Sequence, residues 1–390
     1  MFKPSPFGWV SQYFGGFFFA YGVYLPFLGL WFSDQGVSAG DIGVLIGIGF
    51  ATRCLTNLVL TPRLHKVEHL IPALRLCTFA ALLFAIAHFF TGGNFWLLVL
   101  ATIGFNACFG PGIPLSDAMA NYYSKLKLLD YGRSRLWGSV SFIVASTLVG
   151  YLVEGFGSSM IVYTVIAGLF VTLLVSFRSP SVLPVSSVEL HQNARPKLWV
   201  ILKQPHVIKF LFLIALIQGS HAAYYSFSAI YWKQLGISEA VVGYLWSVSV
   251  VSEVLMFAFS GRLFAHWSLR AMFLLSATGV IVRWSGLAIS TEIWPLVIFQ
   301  LLHGVTFALA HFATIRYIQQ ADDNQMVPLQ ALYNAIPMGG FVAAMTALSG
   351  WGFQLWDGGI FWVMAAMGVL ALFVKLDEPK SVVAAQIPVK

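Results

Sequence analysis

The sequence predicts an all-α membrane protein, with twelve transmembrane helices arranged as two parallel six-helix repeats. Three observations carry this. Of the 390 residues, 58% are hydrophobic and only 9% charged, with a mean hydropathy of +0.80; a soluble domain carries roughly a quarter charged residues. Apolar runs close to the ~20 residues that cross a bilayer recur from end to end. The chain also repeats itself at an offset of 200: Tyr24, Phe27, Gly36, Ser38, Gly43 and Leu45 recur as Tyr224, Phe227, Gly236, Ser238, Gly243 and Leu245. That is six identities in 22 aligned positions, where chance gives roughly one or two.

The first six spans fall at about 8–32, 40–60, 70–90, 95–123, 135–155 and 158–177, the second six at about 206–232, 238–261, 269–290, 294–318, 327–350 and 357–376. In lipid each must be helical, because nothing else there satisfies its backbone hydrogen bonds. The first apolar stretch, Phe7 to Trp31, is too long for the apolar region of a signal peptide and lacks a small-residue cleavage site, so it reads as a span. Between the two sets lies the one long polar interval, Arg178 to Pro205, containing Pro180, Pro184, Pro196 and Pro205. It predicts an N-terminal bundle at 1–178, a cytoplasmic linker at 179–205 and a C-terminal bundle at 206–390.

Basic residues set the orientation. With the N-terminus inside, the inner segments hold Arg63, Lys66, Arg75, Lys125, Lys127, Arg133 and Arg135. They also hold Arg178, Arg195, Lys197, Lys203, Lys209, Arg262, Arg270 and Arg316, against Lys233 alone in the outer loops. Both termini are therefore expected in the cytoplasm. This bias accounts for the net charge of +7 and the pI of about 9.3, so the bilayer is the expected partner and nucleic acid is not. Cys54, Cys77 and Cys108 lie inside apolar runs without CxxC or Cys/His spacing, which argues against a disulfide framework or a metal site. No cofactor is expected.

Four ionisable residues fall inside spans: Arg53, Asp117, Glu253 and Arg283. Each costs about 2.5–3.5 kcal/mol at a helix centre on insertion scales, on the order of 10 kcal/mol together if unpaired. Two are cationic and two acidic, so they can pair, face an aqueous cavity or change protonation state. His221, His303 and His311 join them in the seventh and tenth spans. Aromatic residues make up 16% of the chain; Phe17, Phe18, Phe19 and the many tryptophans read as lipid-facing or interfacial. The run Asp130-Tyr131-Gly132-Arg133-Ser134-Arg135-Leu136-Trp137-Gly138-Ser139 follows the fourth span. Its Gly138 and Ser139 permit close helix packing, and Arg135 stands where the fifth span begins its inward face.

With repeat, linker and charge bias in agreement, the chain resembles the major facilitator superfamily, whose six-helix halves hold substrate near the midplane between them. Gly138 to Gly150 contains no proline, which departs from the Gly-Pro signature of drug/proton antiporters. Asp117 followed eighteen positions on by Arg135 in Gly-Arg-x-Arg, then Glu253, Arg283 and His303 twenty positions later, resemble the lactose permease branch. The likeness departs at Thr306, where that branch has a proton-carrying glutamate, and proton transfer by that residue is excluded. Asp130 to Ser139, His221 to Tyr225, Tyr231-Trp232, Val242 to Ser247, Arg53, Glu253 and Val282-Arg283-Trp284 resemble bacterial 3-phenylpropionate (hydrocinnamate) transporters.

The resemblance implies a functional monomer of the bacterial inner membrane that takes up an aromatic carboxylate together with protons. A carboxylate needs a cationic anchor, best a bidentate arginine; Arg135, Arg53 and Arg283 are candidates in that order. In this superfamily the first and seventh spans line the cavity, so Tyr21, Tyr24, Tyr224, Tyr225 and Phe227 are candidates to face a ring. Asp117 stands beside Arg135 as a further substrate contact. Proton coupling needs an acid that binds H⁺ near neutral pH, which apolar surroundings favour; Glu253 and Asp117 are the candidates, with His303 and Arg283 in the same relay. A sugar or nucleoside symporter of the same fold is the alternative, with Asp117 and Arg135 binding hydroxyls. An enzyme is not expected, since no nucleophile, base and acid stand together, nor is a sensor, since the linker and tails are short.

Overall fold

A computed structural model describes residues 3–60, 63, 64, 66–185 and 198–376, and every regular element among them is helical. The helices long and apolar enough to cross a membrane are α1 (Pro6–Asp34), α2 (Ala39–Leu60), α3 (Val67–Phe90), α4 (Phe95–Lys125), α5 (Tyr131–Phe156), α6 (Ser159–Phe177), α7 (Pro205–Gln234), α8 (Glu239–Leu263), α9 (Leu269–Ile289), α10 (Ile293–Gln319) and the stretch Asn324–Phe373. The last covers 50 residues, about 75 Å at 1.5 Å per residue, more than twice the ~30 Å hydrocarbon core. It is two spans. The chain reverses at Asp357, whose φ of +44° ends one helix. The eleventh span, α11, therefore runs through Asp323–Ala335, Ile336–Phe341 and Val342–Trp356, and α12 is Ile360–Phe373. Twelve spans result, as the sequence predicts. Arg195 and Lys197 of the expected linker, and everything after residue 376, lie outside the described residues.

Local chemistry places the ends. Ser5, Asn94, Asp130 and Ser268 accept backbone N–H bonds at the starts of α1, α4, α5 and α9. Proline and glycine place the bends. α4 breaks at Gly110-Pro111-Gly112, where a Cβ on Gly112 would stand 2.2 Å from the Phe17 ring. α10 and α11 each contain a wide π-helical turn, Gly304–Leu309 and Ile336–Phe341, the second around Pro337, which has no N–H to give.

The internal repeat has a structural meaning. Gly36 and Gly236 both turn the chain at left-handed φ values, +79° and +81°, after α1 and α7. Gly43 and Gly243 both lie in seams between the first six helices and the last six. A Cβ on Gly43 would sit 2.6 Å from the Gly350 Cα, and one on Gly243 would sit 2.3 Å from the Ser146 carbonyl oxygen. Gly29 against Ser226 and Gly150 against Glu239 make equally close approaches. All of these positions lie at the end of the molecule remote from the N-terminus. Hydroxyls fasten the same end: Ser247 meets Ser146 at 3.0 Å and Thr147 at 2.9 Å, and Tyr151 meets Tyr244 at 2.7 Å. Lys233 bridges Asp34 at 3.5 Å and Glu239 at 3.1 Å.

One expectation is corrected. Phe17 and Phe18, read as lipid-facing, are buried in the interior, as are Trp9, Trp31, Trp232, Trp246 and Trp284. Three of these tryptophans find acceptors: Trp9 Nε1 donates to the Arg178 carbonyl, Trp246 Nε1 to Ser228 Oγ and Trp284 Nε1 to Ser220 Oγ, whereas the indole N–H groups of Trp31 and Trp232 have none among the described residues. The interfacial reading holds for tryptophans near helix ends such as Trp96 and Trp294, 72% and 79% exposed.

The Gly43 contact leaves no room for a side chain, so Gly43→Val should hold the seam apart. In a background with Cys54, Cys77 and Cys108 replaced by alanine and carrying Ala347→Cys, on α11 in the same seam, adding Gly43→Val should raise the labelling rate by a membrane-impermeant maleimide several-fold. Equal rates with and without Gly43→Val would show that the seam adapts.

Candidate functional site

In the first six helices the site is built around Arg53 on α2. Its Nε donates to Asn106 Oδ1 at 3.0 Å and its Nη1 to the Tyr21 hydroxyl at 3.2 Å. The guanidinium lies 5.1–5.7 Å from the ring centres of Tyr21, Tyr24, Phe50 and Phe109, the range in which aromatic faces stabilise a cation. Tyr24 donates its hydroxyl proton to the same Asn106 oxygen at 3.1 Å and stacks on Phe105 at 4.9 Å. Asn106 is held by its own helix, its amide donating to the Thr102 carbonyl. Among the described residues no carboxylate lies within 4.0 Å of Arg53, and its Nη2 has no hydrogen-bond partner. Tyr24, Leu25, Leu28, Ile46, Phe50, Arg53 and Asn106 line a small, closely packed pocket. Phe50 at its rim meets Tyr225 of α7, ring centres 6.3 Å apart.

A second cation on this side, Arg135, rests on the Phe18 ring at 3.9 Å. Gly138, one turn on, makes the space: a Cβ there would meet Arg135 Nη1 at 2.9 Å and Phe18 at 2.8 Å. Arg135 Nε stands 3.9 Å from Asp117 Oδ1, and Tyr131 donates to that oxygen at 3.1 Å. Asp117 and Arg135 thus pair, loosely, with side chains 28% and 31% exposed.

The last six helices hold Arg283 fully buried, also without a carboxylate within 4.0 Å among the described residues. Neutral acceptors surround it. Nη2 donates to Gln300 Oε1 at 2.9 Å; Nη1 lies 2.8 Å from His303 Nδ1 and donates to Thr306 Oγ1 at 3.1 Å. The ring of Tyr224 lies 4.7 Å below the guanidinium and that of Trp284 4.3 Å. Gln300 donates in turn to the Tyr224 hydroxyl at 2.9 Å. Because Arg283 can only donate, His303 Nδ1 must accept, and its proton sits on Nε2. Nε2 faces Glu253 Oε2 at 3.4 Å. His303 is thereby fixed in one tautomer, and Glu253, 28% exposed, is the least buried member of the chain. Close helix approach makes this possible: a Cβ on Gly304 would stand 2.7 Å from the Ser252 carbonyl oxygen, and Gly304 N–H donates to Ser252 Oγ at 3.0 Å. The packing sets His303 beside Glu253. Arg135 acts electrostatically on Glu253 from the other set of helices.

The structure therefore brings Arg53 together with Tyr24, Asp117 with Arg135, and Arg283 with Tyr224, His303 and Glu253. Phe227 stands apart, buried and stacked on Phe353 of α11 at 4.7 Å, in helix packing rather than in the pocket. His311 lies on the Tyr333 hydroxyl at 2.8 Å, and His221 Nε2 on Thr306 Oγ1 at 3.1 Å. Asn106, Gln300, Phe18 and Phe50 were not singled out from the sequence. Asn106 and Gln300 are uncharged amides within apolar runs, and the one available signal was that an amide in lipid also needs a partner.

Comparison with known proteins agrees with this architecture. The model of the MFS_1 like family matches residues 10–373. The "Probable 3-phenylpropionic acid transporter" of Escherichia coli (strain K12) is 40% identical over 94% of this chain and 96% of that protein. The maltose permease of Geobacillus stearothermophilus is 24% identical, covering 91% of each. Among solved structures a variant of the nucleoside transporter NupG superposes with a TM-score of 0.82 at 16% identity, covering 95% of this chain and 98% of that one; the likeness is one of fold. The chain belongs to the MFS_1 like family of the major facilitator superfamily, and is a multi-pass membrane transporter of a small molecule.

Proposed function

We propose that the chain takes up a small aromatic carboxylate, 3-phenylpropionate or a related arylalkanoate, together with protons. The observation that carries this is Arg53: a cation with no carboxylate partner among the described residues, held in place by an amide and a hydroxyl, on the wall of an aromatic pocket. An arginine already neutralised by an acid has little to offer an anion; Arg53 still has donors to give. This places Arg53 ahead of Arg135, whose neighbour is Asp117. Tyr24 and Phe50 suit the ring of such a substrate, and the 40% identical relative bears the name of a 3-phenylpropionic acid transporter.

In this reading residues 1–178 and 206–390 move as two bodies about the segment 179–205, with both termini in the cytoplasm of a bacterium and the chain working as a monomer in its inner membrane. The excess of lysine and arginine in the segments on the N-terminal side supports that orientation. The tight seams then close the outer side, and Asp117, Arg135 and Glu253 face water from the inside. Glu253 is the proton carrier, since His303 is committed at Nδ1 to Arg283 and at Nε2 to Glu253 itself. Arg283 and His303 hold Glu253 rather than exchange protons.

Arg53→Lys should weaken binding of 3-phenylpropionate by about 1–3 kcal/mol, because an ammonium replaces neither the fork nor its stacking. Isothermal titration of the purified protein measures this, and wild-type affinity would remove Arg53 from the site. Glu253→Gln should retain counterflow of labelled 3-phenylpropionate in proteoliposomes and lose accumulation driven by an inward proton gradient. Accumulation at the wild-type level would move the coupling to Asp117. Asp117→Asn should leave 3-phenylpropionate binding intact, since an ionised carboxylate beside Arg135 only repels an anionic substrate. Loss of recognition in that variant would favour a sugar or nucleoside, whose hydroxyls need the acid as an acceptor.

A further inference from the structure

Helix α7 breaks at Ser220-His221, between Pro205–Gly219 and Ala222–Gln234. A helix end leaves carbonyl oxygens without their usual backbone donors, and here side chains supply them. Ser220 Oγ donates to the Ile217 carbonyl at 2.7 Å and accepts from Trp284 Nε1. His221, fully buried, turns Nδ1 to the same carbonyl and to that of Gln218, both at 3.2 Å. Carbonyl oxygens only accept, so Nδ1 carries the proton and Nε2 of the neutral ring accepts. Its partner is Thr306 Oγ1 at 3.1 Å, which therefore donates. The other side of that hydroxyl is filled by Arg283, whose Nη1 donates to it at 3.1 Å.

Arg283 Nη1 thus directs two histidines in opposite senses, with one N–H for each path. Directly, it leaves His303 with a proton on Nε2, toward Glu253; through Thr306, it leaves His221 with a proton on Nδ1, toward the break in α7. Beyond the break, Tyr225 N–H donates to the His221 carbonyl at 3.0 Å, and the Tyr225 ring stacks on the imidazole with centres 5.8 Å apart. Tyr225 in turn meets Phe50, which lines the pocket at Arg53, at 6.3 Å. We propose that Thr306 and His221 are positioning residues that carry the state of the proton site to α7 and, through Tyr225, to the pocket at Arg53. This rests on the reading above, in which Glu253 takes the proton and Arg53 the substrate. Protonating Glu253 removes the charge that His303 Nε2–H faces. The change passes along Arg283 and Thr306 as an adjustment of hydrogen bonds, and no proton leaves His221. The departure at Thr306 then has a use: a hydroxyl accepts from Arg283 and donates to His221 at once, whereas an ionised carboxylate only accepts.

The test uses the full-length protein in lipid nanodiscs, with ¹⁵N-labelled histidines whose NMR signals report the tautomer; the signals lost in His221→Asn and in His303→Asn identify the two rings. His221 should hold its proton on Nδ1 and His303 on Nε2. Thr306→Val, which keeps the shape without the hydroxyl, should move the His221 Nε2 signal, and Thr306→Ser should restore it. Glu253→Gln, which mimics the protonated carboxyl, should shift the His221 signals when Thr306 is present and no longer do so beside Thr306→Val. A proton on Nε2 of His221, or a response to Glu253→Gln that persists undiminished beside Thr306→Val, would overturn the proposal. In proteoliposomes, Thr306→Val should lower the maximal rate of proton-driven 3-phenylpropionate uptake about fivefold, the factor of one net hydrogen bond, at unchanged KM, and Thr306→Ser should recover it. A packing role predicts the reverse order, since valine keeps the methyl group that serine loses. Uptake by Thr306→Val at the wild-type rate would show that transport does not use the link, and the proposal falls. If the wild type ignores a proton gradient, the proposed symport is wrong, while the histidine signals still decide whether Thr306 links Glu253 to His221.

Discussion

Holding an arginine in a nearly apolar interior without a carboxylate beside it is the constraint on which the centre of this molecule depends. Removing a guanidinium from water without compensation is far more costly than any single contact can offset. Both sets of six helices meet the problem with the same device. A tyrosine of the first helix in the set presents its ring face to the guanidinium, and an amide of the fourth offers its carbonyl oxygen. Tyr24 and Asn106 serve Arg53; Tyr224 and Gln300 serve Arg283. In each the tyrosine hydroxyl also bonds to the amide, so ring, amide and cation form one unit. The repetition of tyrosine at an offset of 200 thus has a physical reason.

The contacts between the two sets of helices obey a different requirement, because a transporter must make and break them. Glycine at Gly29, Gly43, Gly150 and Gly243 brings backbones together, and the side-chain bonds that fasten the seam are mostly hydroxyl to hydroxyl. When such a seam parts, water replaces each lost hydroxyl bond almost without loss. The Lys233 bridges to Asp34 and Glu239, on part-exposed side chains, add little, as exposed ion pairs do. A closed end built in this way is specific in register yet weakly held, which suits alternating access better than a greasy interface would.

The fold was legible because lipid leaves few choices. Apolar runs of the right length must be helices, and repeat, linker prolines and basic loops agreed on twelve of them. Charged residues in those runs also announced themselves, and Arg53, Asp117, Glu253, Arg283 and His303 all prove to have specific polar or aromatic partners. Their pairing was harder to read. Two cations and two acids could pair, face water or change protonation state; among the described residues none of the four pairs with another, Asp117 lies by Arg135, Glu253 by His303, and Arg283 is served by neutral groups. Asn106 and Gln300 escaped notice because an uncharged amide stands out little from its neighbours, and Phe18 because a triplet of phenylalanines looks the same whether it faces lipid or a guanidinium. Phe227 was a candidate because the seventh span lines the cavity in the superfamily; its ring is fully buried, as is that of its repeat partner Phe27, and stacks on Phe353. The π-helical turns of α10 and α11 were unreadable in principle, since one extra residue in a turn leaves an apolar run apolar.

The two arginine units differ in one respect, and the proposed mechanism follows from it. Arg53 ends at a pocket, with donors still free; Arg283 is fully enclosed and has its charge relayed through His303 to Glu253. A cation that can reach a ligand serves binding. One that cannot acts only by biasing the group at the end of its chain. When Glu253 is ionised it is held by His303, fixed in turn by Arg283, and attracted by Arg135 of the first six helices, which in the proposed reading ties the two sets of helices together. In that reading, protonating Glu253 releases the tie and leaves Arg135 to Asp117. In the proposed reading, an anionic substrate neutralises the free cation at Arg53, and a proton on Glu253 removes the attraction between Glu253 and Arg135 of the other set of helices. An unfilled Arg53 leaves a bare charge at the centre of the membrane, at a cost of several kcal/mol, and an ionised Glu253 stays held to Arg135, so on this proposed reading movement needs both substrate and proton.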